Sequence, residues 1–128
     1  MKVFPTEFMG NDVGRAIVAT YIEDDNSGEF ALRINQSAGK VFAINEIPTG
    51  FKATHVQVYT DTAVTNGVEV FTFNQTTGAV SSVGTGNTNA SIDITNITSS
   101  ATAAMIIQVT PGSLTVDIFG ADITIATV

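Results

Sequence analysis

The sequence predicts an all-β protein: an antiparallel β-sandwich, jelly-roll-like, with eight to ten strands and an extended N-terminal arm. Three observations predict it. From Lys40 to the C-terminus, short runs of alternating apolar residues follow one another, broken by Gly, Asn, Thr and Ser, which is how antiparallel strands and their turns read. No segment carries a convincing helical period. The chain has 128 residues, no cysteine and 44% hydrophobic residues, enough for a single domain to bury its own core without disulfides or metal.

Residues 1–15 lack strand periodicity and read as the arm; residues 16–128 are assigned to the sandwich. The apolar run AIVATYI over 16–22 predicts a strand, as does EFALRI over 29–34. Between them, Glu23-Asp24-Asp25-Asn26-Ser27-Gly28 is a turn, because Asx side chains bond local backbone and Gly permits positive φ. The next strand spans 40–47 and ends at Pro48-Thr49-Gly50. Another spans 51–60, with Val56 and Val58 on one face and His55, Gln57 and Tyr59 on the other. Residues 67–74 are apolar on both faces, so that strand is expected to be central. Gln75-Thr76-Thr77-Gly78 makes a hairpin loop into a strand at 79–83, and Gly84-Thr85-Gly86-Asn87 reads as a flexible loop tip. The run 90–95 alternates cleanly, Ile92 and Ile94 inward, as in a strand solvated on one side. Residues 103–110 are again apolar on both faces. After Pro111-Gly112, residues 114–128 form a long last strand or a tight pair. Apolar parity switches within Gly120 to Asp122, which requires a bulge or bend. Two sheets of four or five strands accommodate this set.

Composition narrows function. Twelve acidic residues against five basic ones give a net charge of -7, which repels nucleic-acid phosphates and anionic lipid. Lys2, Arg15, Arg33, Lys40 and Lys52 are scattered and form no basic patch. No apolar run reaches the ~18 to 20 residues of a membrane span, and the N-terminus lacks the apolar stretch of a secretory signal. Neither a nucleic-acid nor a membrane partner is expected, and the chain reads as made in the cytoplasm.

Residue types that carry chemistry are sparse. His55 is the single histidine; without further ligands it builds no zinc site, and no triad spacing accompanies it. It is expected on the outer face of its strand. The 23–28 cluster invites a calcium reading, but aligned on an EF-hand loop its twelfth position is Ile34, where a bidentate Glu is required. Gly84-Thr85-Gly86 lacks the lysine and helix of a phosphate loop. Asn35, Asn74, Asn89 and Asn96 match the glycosylation acceptor pattern, as an Asn- and Thr-rich chain does by chance. Asp61, Glu69, Asp93, Asp117 and Asp122 are spaced in no way that suggests a paired-carboxylate glycosidase. No enzyme, cofactor or metal is expected. The phenylalanines of the strand-rich part sit where core residues belong. Phe4 and Phe8 differ: with Pro5 between them they lie on the arm, so either they fold back onto the sandwich or they dock on a partner. Phe4, Pro5 and Phe8 are the candidate partner contacts.

The stretch Ile47-Pro48-Thr49-Gly50-Phe51-Lys52-Ala53-Thr54-His55-Val56-Gln57-Val58-Tyr59 resembles small virion proteins of marine tailed bacteriophages, capsid decoration (cement) proteins among them. There an I-P-x-G-[YF]-x-A-T-x-V-x-[VI]-Y stretch precedes a Thr/Asn/Gly-rich β domain. Ile97-Thr98-Ser99-Ser100 and Gly120-Ala121-Asp122-Ile123-Thr124-Ile125 sit in similar places, so the resemblance covers residues 40–128. It implies a non-enzymatic virion structural protein on the capsid surface whose partner is the major capsid protein or another virion protein, and it is compatible with a homo-oligomer. The alternative from the residues themselves is a carbohydrate-binding or adhesin-type β-sandwich module of a tail or fibre, although sugar platforms usually use Trp, which is absent here.

Overall fold

The computed structural model describes residues 1–10, 18–22, 30–34 and 38–128. The acidic cluster at 23–28, residues 11–15 of the expected arm and Asn35 lie outside them. The strands are β1 (Lys2–Val3), β2 (Met9–Gly10), β3 (Val18–Ile22), β4 (Phe30–Ile34), β5 (Val41–Asn45), β6 (Phe51–Thr60), β7 (Val68–Asn74), β8 (Val80–Gly86), β9 (Ile92–Thr98), β10 (Ala103–Val109) and β11 (Ile118–Thr127). All pairings among the described residues are antiparallel.

Two sheets form, one in the order β3-β4-β11-β6-β9 and the other β2-β5-β10-β7-β8. Counting eight strands from β4, the first sheet holds the first, last, third and sixth, and the second holds the second, seventh, fourth and fifth. That interleaving is the jelly roll. Period-two alternation feeds the core from both sides: Leu32, Val56, Val58, Ile118 and Ile123 from one sheet, Val41, Val68, Val70, Met105 and Ile107 from the other.

The turns form where their residues demand. The Phe51 amide donates to the Pro48 carbonyl at 3.0 Å with Gly50 at φ 86°. The Asn74 carboxamide oxygen accepts from the Thr76 and Thr77 amides at 2.9 and 3.2 Å, an Asx turn that closes the β7–β8 hairpin. At one end of the sandwich the Asn89 side chain exchanges bonds with the Thr60 backbone, accepting at 2.9 Å and donating at 2.9 Å. It thereby continues the β6 ladder where strand pairing has stopped.

Three expectations need correction. First, residues 1–10 are not a free arm. β1 pairs with β11, Lys2 opposite Asp122 and Val3 opposite Ala121; a 3-10 turn at Pro5–Glu7 crosses over; and β2 pairs with β5 on the other sheet. Val3, Pro5 and Phe8 are buried. The terminal ammonium donates to the Ile123 carbonyl at 2.6 Å, and the Ile123 amide donates to the Met1 carbonyl at 2.8 Å. The segment satisfies exposed edges of both sheets, and it carries its own apolar side chains into the core.

Second, Gly84-Thr85-Gly86 is not a loop tip but the end of β8. A Cβ on Gly84 would meet Ile94, and one on Gly86 would meet Ile92, at 2.8 and 2.7 Å. Those glycines let the edges of the two sheets close on one another, the close-approach use of glycine in a strand. Third, the last strand begins at Ile118, not at 114, and Leu114 is exposed. Its register shifts between Ile118 and Gly120 and again between Thr124 and Ile125. Gly120 sits at φ 126° against the Val3 carbonyl.

Candidate functional site

A sandwich of two layers normally shows water a polar outer face on each sheet. One sheet obeys. Its outer surface presents Lys52, His55, Gln57, Tyr59, Asp122 and Thr124 from β6 and β11. The other does not. Cross-strand pairing lines up Met9, Phe42, Gln108, Glu69 and Thr85 in one row, Ile44, Ile106, Phe71 and Ser82 in the next, and Ala104, Phe73 and Val80 in the third. Met9, Ile44 and Val80 are 51%, 47% and 54% exposed. Phe42, Phe71, Val80, Ile106 and Gln108 enclose a groove of about 250 Å³ across this face.

The opposite parity of the same strands explains why the face exists. Val41, Ala43, Val68, Val70, Met105, Ile107 and Val109 already fill the interior, so Phe42, Ile44, Phe71 and Ile106 must point outward. The expectation that phenylalanines of the strand-rich part belong to the core is therefore corrected for Phe42, Phe71 and Phe73. The two-faced strand β7 lies inside its sheet, as expected, and β10 lies beside it, but their second apolar face is uncovered by any described residue.

A smaller polar cluster lies where β1 meets β11. The Asp122 carboxylate accepts from the Lys2 ammonium at 2.7 Å and from the Tyr59 hydroxyl at 3.0 Å. The Lys2 hydrogen bond holds the Asp122 carboxyl below the usual carboxylate range, against some desolvation and with help from Tyr59. The bond to Asp122 raises the Tyr59 phenol, which would otherwise place two anions together. Phe4, 59% exposed, forms a ledge beside this cluster. Of the three partner contacts read from the sequence, Phe4 alone is accessible; Pro5 and Phe8 are internal.

The remaining polar candidates are dispersed. His55 lies on the outer face, as expected, 43% exposed, with Nε2 3.8 Å from an Asp93 oxygen and Nδ1 3.0 Å from the Thr54 hydroxyl. Asp117 is buried; the Arg33 guanidinium clasps its carboxylate from Nε and Nη2, and its amide donates to Asp61 at 2.8 Å. Glu69 stands on the opposite sheet from Asp93 and Asp122. Among the described residues no three His, Cys, Asp or Glu side chains converge as a metal site, and no helix is long and apolar enough to cross a membrane.

No protein-family model matches the chain, and no curated protein matches it. Among solved structures it is similar to Clostridium thermocellum endo-1,4-beta-D-xylanase 10B, crystallised as its CBM22-1 and GH10 modules complexed with xylohexaose. The TM-score is 0.51 at 14% identity, over 98% of this chain and 27% of that chain. The chain thus spans about a quarter of the xylanase polypeptide. At that identity the likeness speaks for the sandwich fold alone.

Proposed function

We propose that the chain is a non-enzymatic virion structural protein, a capsid decoration subunit that acts through surface contact. The observation that carries this reading is the apolar outer face of β5, β10, β7 and β8, which no described residue covers, on an otherwise acidic protein. An apolar patch of this extent on a small domain marks an interaction site. The residues 47–59 resemblance supplies the virion context, and the N-terminal strap that ties both sheets suits a subunit that must resist unfolding. The polar groups serve the fold: Arg33 with Asp117 and Lys2 with Asp122 are structural pairs. Copy number tests the proposal. Quantitative mass spectrometry of purified virions should find the protein at hundreds of copies per particle; its absence from particles would refute the reading.

Carbohydrate binding is the second reading, favoured by one observation: the likeness to a structure that contains a carbohydrate-binding module, combined with phenylalanines lining a groove. Titration with xylohexaose and a glycan array would decide it. Saturable binding abolished by Phe71→Ala would transfer the function to this class.

A further inference from the structure

We infer that the apolar outer face of β5, β10, β7 and β8 is covered by the same face of a second copy, forming a two-fold symmetric dimer. The inference rests on the reading of that face as an interaction surface, assigns it to contact between subunits, and makes the dimer the unit that assembles on the particle.

Charge is the first argument. The chain carries a net charge of -7, so two copies repel wherever their ordinary surfaces meet. On the outward positions of β2, β5, β7, β8 and β10 the single charge is Glu69, in the first row beside Gln108 and Thr85. A two-fold axis laid along the Ile44-Ile106-Phe71-Ser82 row sets each Glu69 against the third row of the other copy, about 14 Å along the strands from its own counterpart. Of the two described sheet faces this one carries the fewer charges, so self-contact there meets the least like-charge opposition.

Size is the second argument. The four strands of the face, three of seven residues and one of five, at ~4.8 Å spacing and ~3.4 Å per residue cover roughly 420 Å² in projection. That is about half of the ~800 Å² per partner of a standard stable interface and puts the contact among the small, weak ones, so the test spans micromolar concentrations. Shape agrees, because an isologous contact needs ridge and groove on one patch. Ile44 and Val80 protrude at its two sides, and the groove between them, at about 250 Å³, exceeds the ~150 Å³ that admits a benzene-sized group.

The test is sedimentation equilibrium of the full chain from 1 to 200 µM, run on wild type and on Ile106→Glu, Val80→Lys and, as a control on the other sheet, Gln57→Glu. Wild type and Gln57→Glu should reach dimer mass, while Ile106→Glu and Val80→Lys stay monomeric with unchanged circular dichroism. Mixing Ile106→Glu with Ile106→Lys should restore dimer mass, because positions near a two-fold axis face each other. That rescue also separates a broken interface from a broken fold. A wild type that remains monomeric at 200 µM, or dimers indifferent to both face substitutions, would overturn the inference. The proposed function would stand or fall separately, on whether the protein occurs in virions.

Discussion

Phe4 and Phe8 are four residues apart and chemically identical, yet the structure gives them opposite fates, and substitution should separate them sharply. Phe8 is 4% exposed within the main core, whereas Phe4 is 59% exposed. Phe8→Ala removes a buried aromatic ring and leaves a cavity that a β-sandwich cannot readily collapse, at a cost of about 3 to 5 kcal/mol. Phe4→Ala removes a side chain already in water and should stay within ~0.5 kcal/mol. Against a typical total of ~5 to 15 kcal/mol, the first loss is large. For a domain of this size it corresponds to a midpoint lower by roughly 10 to 20 °C. Urea titration followed by far-ultraviolet circular dichroism, with slopes compared to confirm two-state behaviour, measures both variants. Deleting residues 1–10 should cost more than Phe8→Ala, since it also removes Val3, Pro5 and the pairings of β1 and β2. A Phe8→Ala variant within ~1 kcal/mol of wild type would refute the strap and restore the picture of a separable arm.

Gly120→Ala should cost about 2 to 4 kcal/mol, because φ 126° is strained for any side chain and the new Cβ meets the Val3 carbonyl. Hydrogen exchange should show the Ile123 amide, bonded to Met1, losing protection before other amides do. Arg33→Met should lower stability by about 1.5 to 3 kcal/mol in urea melts, the range for a hydrogen bond to a charged group, because it removes the Arg33 clasp from the buried Asp117 carboxylate. Asp122 has a depressed pKa in the folded state, so its contribution is complete above the ordinary aspartate value of ~3.9 and vanishes as pH falls through the lower folded value. The midpoint difference between wild type and Asp122→Asn should therefore be constant at neutral pH and shrink below about pH 4; a difference that grew on acidification would contradict the assignment. A chelator should leave the melting midpoint unchanged, and a fall of ~10 °C or more would reveal a bound ion acting by mass action.

The sandwich was legible in the sequence because side-chain direction along a strand has period two and the turns carry their own chemistry. Pro48-Thr49-Gly50, Gln75-Thr76-Thr77-Gly78 and Pro111-Gly112 all lie between strands as their residue types require. The break expected within Gly120 to Asp122 was readable in kind: Gly120 takes φ 126°, but the register shift falls just before it, between Ile118 and Gly120, and pairing over 120–122 is regular. What failed was what depends on distant partners. Gly84 and Gly86 look like loop residues until Ile94 and Ile92 are placed against them. Residues 1–10 show no periodicity because each of their strands is two residues long, too short to display one. The docking of Phe8 therefore rests on edges of β11 and β5 that the local sequence does not contain.

The candidate surface has a signal in the sequence, and its logic is general. A strand in a two-layer sandwich has one interior side, so only one parity of its residues can be buried within the domain. Strands apolar on both parities belong inside a three-layer protein, where helices cover the second side. Among the described residues no helix longer than the three-residue 3-10 turn at Pro5–Glu7 is available to do so. The double apolarity of 67–74 and 103–110, together with Phe42 and Ile44 on the neighbouring strand, therefore implied a choice: a second side exposed to water, or a cover supplied by another molecule. Exposure of several large apolar side chains is unfavourable by ~25 cal/mol for each Å², whereas polar outer residues at the same positions would have carried no such cost. The opposite sheet, with Lys52, Gln57 and Asp122 at equivalent outward positions, shows that the fold itself asks for nothing apolar there. The apolar side chains of that face are thus unexplained by packing among the described residues, and the proposed association would account for them.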